Sequence, residues 1–223
     1  MFISKRRPIT ISQAEHQKLA GTLAMFWGND QFGLPPIAFE SFHTGIALHD
    51  RVYGVLDNLP IGAISESEWI ALTWRGFDMT WDDPLADLIA KRHLQRLMSY
   101  GNSEERQQGA RTMAATIAAL VAQHGLDAAL FDRIDRITDL CDRIAFDFCF
   151  EEPAQGSVKV FPRNDQPEEI AISYHVDGAH IHIAPWPLRV EALEGYLVAY
   201  QLDGYPERLE PVLVPWQAAR RET

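Results

Sequence analysis

The feature that most constrains this chain is a single change of hydrophobic period at Pro153. Before it, apolar residues recur every three to four positions; after it they alternate with polar ones. Leu130, Ile134, Ile137, Cys141, Ile144 and Phe148 form one apolar stripe on a helix from about Ala128 to Phe150. Beyond Pro153, Val158 to Phe161, Ile170 to Val176 and Ala179 to Ile183 read as strands, with Asp177-Gly178 as a tight hairpin turn. The expected fold is therefore a mainly α core over residues 12–150. A small antiparallel β section over 153–223 packs on it, α+β overall, within a single domain spanning 1–223.

Local signals punctuate the helical part. Ser12-Gln13-Ala14-Glu15 has the capping-box pattern, in which the serine caps the third helical amide and the glutamate returns to the cap. That helix runs to about Trp27, and a second begins near Pro36 with Phe39, Phe42, Ile46 and His49 at helical spacing. Ser65 and Glu68 repeat the capping box. Asp83-Pro84 starts a helix carrying Leu85, Leu88, Ile89, His93 and Leu97, and Glu104 to His124 forms another. Phe2 to Ile11 reads as an edge strand or short hairpin. Leu188 to Tyr196 reads as a short helix, and Val212 to Trp216 as a last strand or packed tail.

Charge narrows the partners. The formal net charge of −11 disfavours nucleic acid and anionic lipid, since both need a basic footprint. A small anionic substrate stays compatible, because a few local arginines outweigh a distant net charge. No apolar run is long enough for a membrane span and no secretory signal is evident, so a cytoplasmic location is expected. Cys141 and Cys149 lie about 12 Å apart along one helix, too far for a disulfide.

Several polar residues interrupt apolar stripes. His16 precedes Leu19 and Leu23 by three and seven positions, His49 continues the stripe of Phe42 and Ile46, and His93 lies between Ile89 and Leu97. Each is on a face that its helix must bury, where a histidine needs partners for both ring nitrogens or a metal on one. Asp50 adjoins His49. On the long helix, Asp132, Asp135 and Asp139 have arginines within a turn and read as exposed ion pairs, whereas Asp142 is followed by the apolar Ile144-Ala145-Phe146. Imidazole with carboxylate suits a transition metal better than calcium, and helical proteins assemble metal sites from facing helices in this way. His175, His180 and His182 share one hairpin face, but their alternation with Ile181 and Ile183 is that of a half-exposed strand. Trp69, Trp74 and Trp81 read as packing residues rather than a stacking surface.

The order His16…His49-Asp50…Asp142 resembles the His…His-Asp…Asp signature of the HD superfamily of metal-dependent phosphohydrolases. A closer resemblance covers nearly the whole chain. Ile9-Thr10-Ile11-Ser12-Gln13-Ala14-Glu15-His16 with Leu19-Ala20-Gly21, the His49-Asp50 pair, His93, Asp142 to Cys149 and Pro185-Trp186-Pro187-Leu188 are similar to a bacterial family described only as a domain of unknown function. Where that family tends to have Asp-Gly-Trp after His-Asp, this chain has Arg51-Val52-Tyr53.

The resemblance implies an HD-like helical core holding a divalent metal (Mn, Fe, Zn, Co or Mg). His16, His49, Asp50 and Asp142 would be its ligands, with His93 as a further ligand or a donor to phosphate. Arg51, Arg75 and Arg92 are candidate phosphate contacts. The expected function is metal-dependent hydrolysis of a small phosphorylated compound or nucleotide. An iron-dependent oxygenase on the same site, or a non-catalytic ligand- or partner-binding protein, are the alternatives.

Overall fold

The computed structural model describes residues 1–220. Its helices follow the local signals closely: α1 Gln13–Met25, α2 Phe39–Ala47, α3 Glu66–Asp78, α4 Pro84–Ser99, α5 Glu104–Gln123 and α6 Ala128–Cys149. Ser65 and Glu68 form both halves of the capping box at α3, and the Asp83 side chain accepts from the Leu85 and Ala86 amides at α4. At α1 only half of the box forms. Ser12 accepts from the Glu15 amide, but the Glu15 carboxylate turns away to accept from the Val198 amide at 2.8 Å. A sheet strand thus takes the group that would have closed the cap.

A helical core with a small antiparallel C-terminal section is not the fold. The strands are β1 Phe2–Ile3, β2 Ile9–Ile11, β3 Ala154–Val160, β4 Ile170–Asp177, β5 His180–Ala184, β6 Ala192–Gln201 and β7 Pro211–Arg220. They form one seven-stranded sheet in the order β1-β2-β6-β7-β5-β4-β3. It is mixed, because β5 and β7 run parallel while the other neighbours are antiparallel. The N-terminal hairpin belongs to it, with Ile9 to Ile11 paired to Gln201 to Ala199. The helix expected over Leu188 to Tyr196 is instead a bend, with Leu188 bridged to Trp27, followed by the start of β6 at Ala192. Gly195 interrupts its inward stripe of Leu193, Leu197 and Ala199, because the Trp216 ring across the ladder fills that space; a Cβ there would lie 2.8 Å from Trp216 Cζ2. A glycine at an inward position hides the strand period from the sequence.

The helices cover the sheet through α6, which packs on β3 and β4, and through α1, which touches β6. One apolar cluster runs through both, including Phe2, Leu23, Phe42, Ile89, Phe148, Ile172 and Val214. Among the described residues no helix is long and apolar enough to cross a membrane. Both cysteines are buried free thiols.

Helices α1, α2, α4 and α6 meet at one place. Gly45 lets α2 and α4 approach: a Cβ there would lie 2.6 Å from Ile89 Cβ. Gly45→Ala is therefore expected to destabilise the protein by about 1–3 kcal/mol through overpacking, read as a lowered Tm. An unchanged Tm would mean that this crossing has slack.

Candidate metal centre

Each donor reaches the centre from a different element. His16 is in the first turn of α1, His93 lies midway along α4, and Asp142 sits in the second half of α6. His49 and Asp50 do not sit in the helix as expected. They follow Leu48, the C-cap of α2, where the chain leaves helical geometry and adjacent side chains can converge. His16, His49 and His93 are wholly buried, and Asp50 and Asp142 nearly so.

The four expected ligands come together. One donor atom from each of His16, His49, Asp50 and Asp142 lies within 4.8 Å of every other. His16 Nε2 is 3.2 Å from His49 Nε2 and 3.3 Å from Asp142 Oδ1. His49 Nε2 is 3.4 Å from Asp142 Oδ1, and Asp50 Oδ2 lies 3.5 Å from His16 Nε2 and 3.7 Å from His49 Nε2. A tetrahedral ion with ligands at about 2.0–2.1 Å sets its donors about 3.3 Å apart, so the cluster could hold a first-row metal ion with little movement. Among the described residues it is the one group of such donors that does so. His175 and His182 pair across the hairpin and the His180 and His182 rings stack at 6.1 Å, on the outer face of the sheet.

Hydrogen bonds assign the tautomers. His49 Nδ1 lies 2.7 Å from the Ile46 carbonyl, which can only accept, so Nδ1 carries the proton and Nε2 keeps its lone pair in the neutral ring. His93 is the opposite case. Arg96 Nη2 donates to His93 Nδ1 at 2.9 Å, and a guanidinium only donates. The ring proton is therefore on Nε2, which donates to Asp50 Oδ1 at 2.8 Å. In this arrangement His93 is a donor that orients Asp50, not a ligand. Burial, with His49 beside it, lowers the His93 pKa and favours the neutral ring that this requires.

The carboxylates are held ionised. Burial alone would raise both, but nearby His49 and the bonds from His16 and His93 keep Asp50 below the usual range, and His16 and His49 do the same for Asp142. Burial would lower the His16 pKa, yet Asp142, Asp50 and the Cys149 thiol raise it well above normal. His16 Nδ1 has no hydrogen-bond partner.

Arg96 is the residue that sequence reasoning missed. It is buried, and it reaches Asp135 Oδ1 at 3.0 Å and Asp139 Oδ1 at 2.6 Å besides His93. Burial would lower its pKa, but those aspartates and Asp142 raise it, so it stays charged. Asp135 and Asp139 are consequently buried, not the exposed pairs that their local arginines imply. Arg96 is three residues after His93 on the same helix face, but the aspartates that hold it come from α6.

The expected phosphate contacts lie elsewhere. Arg51 is fully engaged, with Asp87 at 2.7 Å, the Gly76 and Met79 carbonyls, and the Trp81 ring beneath it. Arg92 binds Gln95 and Asp132, and Arg75 is exposed on α3. None of the three lines the cavity of about 810 Å³ that opens onto Asp50, His93 and Asp142; Arg106 and Arg143 do.

A family model described as "Protein of unknown function (DUF3891)" matches residues 3–203. The chain belongs to this family. The match takes in every donor of the cluster, together with the N-terminal hairpin and most of the sheet. No curated protein and no solved structure matches the chain.

Proposed function

We propose that the protein is a metal-dependent hydrolase of a small phosphorylated compound, with His16, His49, Asp50 and Asp142 as ligands. The observation that carries this reading is the buried set of two imidazole nitrogens and two carboxylate oxygens at coordination spacing, open on one side to a cavity. A divalent ion held there supplies Lewis acidity, which lowers the pKa of water and offsets charge on a phosphoryl oxygen.

The chain's own residues do the rest. His93 Nε2–H fixes one oxygen of Asp50, leaving the other free for the ion. The Ile46 carbonyl fixes the His49 ring with its lone pair inward. Arg143, on the cavity wall, is the candidate phosphate contact in place of Arg51, Arg75 and Arg92, although its Nε donates to Asp139 and its Nη2 to the Tyr100 hydroxyl. In the overall reaction a water oxygen bonds to phosphorus, the ester P–O bond breaks, and a water proton ends on the released alcohol.

Protein loaded with one equivalent of Mn or Zn is expected to release inorganic phosphate from phosphomonoesters, and chelation should abolish this. Ion occupancy should fall as pH falls, because a proton competes for the His16 ring, whose pKa burial would lower but Asp142 and Asp50 raise. Loaded protein that hydrolyses no phosphomonoester under conditions of full occupancy would end the hydrolase reading.

A further inference from the structure

The cavity is much larger than a phosphate needs, and at about 810 Å³ it falls in the range of pockets that enclose whole organic ligands. Its wall has two characters. Asp50, Asp142 and Arg143 line one part, while Leu56, Leu59, Pro60, Ile61 and Ile64, with Asp57 and Asn58 between the first two, supply apolar side chains from the segment leading to α3. This stretch is tied to the body of the molecule, since the Ile61 amide donates to the Met1 carbonyl at 3.1 Å. Leu59, Ile61 and Phe146 line this cavity and are 39%, 40% and 40% exposed, so part of their apolar surface is open to a ligand.

The largest ring on the wall already has neighbours, while Tyr100 and Phe146 are the open rings, 53% and 40% exposed. Trp69 is the largest ring on the wall, but Tyr53 stacks parallel to it at 6.3 Å and the Arg106 guanidinium lies 4.4 Å from its centroid. Arg106 is in turn held by the Leu97 and Met98 carbonyls, so it is not free to leave. One polar group does wait for a partner: Gln13 is 7% exposed, lines the cavity, and its side-chain oxygen accepts no hydrogen bond.

Building on the hydrolase reading, we infer that the substrate is a phosphomonoester of a mainly apolar alcohol bearing one hydrogen-bond donor. The phosphate lies at the cluster beside Arg143, the body lies on Leu59, Ile61, Ile64 and Phe146, and the donor meets Gln13.

The test is calorimetric titration of Zn-loaded protein with inorganic phosphate, ethyl phosphate, hexyl phosphate, ribose 5-phosphate and AMP. Affinity should rise about 4-fold for each methylene that becomes buried, and AMP should bind more weakly than hexyl phosphate. The double variant Leu59→Ser with Ile61→Ser, both at half-exposed positions, should flatten the chain-length dependence, whereas Leu213→Ser on the outer sheet face should leave it steep. If phosphate binds but chain length has no effect, or AMP binds tighter than hexyl phosphate, this inference is overturned and the hydrolase reading survives. If neither phosphate nor any ester binds the loaded protein, both fall together.

Discussion

Asp142→Asn is expected to abolish metal binding while leaving a folded protein. Asp142 Oδ1 lies 3.3 Å and 3.4 Å from the two imidazole nitrogens, nearer than any oxygen of Asp50. The amide keeps the shape and removes the charge that a divalent ion requires. Loss of an outer-shell partner alone typically costs 10–100-fold in affinity, so removal of a ligand should cost more than about 100-fold. Metal content after dialysis should drop from near-stoichiometric to a trace, and added Zn should no longer raise Tm. An Asp142→Asn protein that still takes up one equivalent would remove Asp142 from the ligand set.

Arg96→Met should be the most destabilising single change at the centre. The guanidinium compensates Asp135 and Asp139, both buried, and sits 3.7 Å from Asp142 Oδ2. Removing one partner of a buried ion pair costs about 3–5 kcal/mol, because the remaining charges stay desolvated. In a chain of this size that corresponds to a fall in Tm of roughly 6–20 °C. The change also frees His93 Nδ1, so the tautomer that holds Asp50 is no longer enforced. Nitrogen NMR of the histidines should show His93 protonated at Nε2 in the wild type and a tautomer mixture in the more conservative Arg96→Lys. A wild-type ring protonated at Nδ1 would contradict the hydrogen-bond assignment.

The parts of the site legible in the sequence share one property: a polar residue on an apolar stripe. His16, His49, His93 and Asp142 each interrupt a helical pattern of buried residues, and such an interruption is visible without knowing what lies across from it. Asp50 was legible only through its neighbour. Arg96 was not legible, because Lys91 and Arg92 precede it and a run of basic residues on a helix reads as solvated; only the packing of α4 on α6 brings Asp135 and Asp139 to it. For the same reason those two aspartates read as local pairs of Arg136 and Arg143, although Arg143 does reach Asp139 at 2.9 Å. The arginines of the cavity wall could not be picked out from sequence, since Arg106 comes from α5 and Arg143 from α6.

In the fold, helix ends were legible because caps are local chemistry. Sheet order was not, because pairing of β2 with β6 joins residues about as far apart as the chain allows. Neither does any local pattern indicate that β5 and β7 run parallel. Strand β6 was missed for a more specific reason, the missing side chain at Gly195.

The central claim is that two imidazoles and two carboxylates hold one ion. X-ray absorption at the zinc edge, on protein loaded with one equivalent, tests it most directly. The account predicts a shell of nitrogen and oxygen at about 2.0–2.1 Å with the outer scattering of two imidazoles. A sulfur shell at about 2.3 Å, which would assign the ion to Cys149 or Cys141, or the absence of tightly bound zinc, would contradict it.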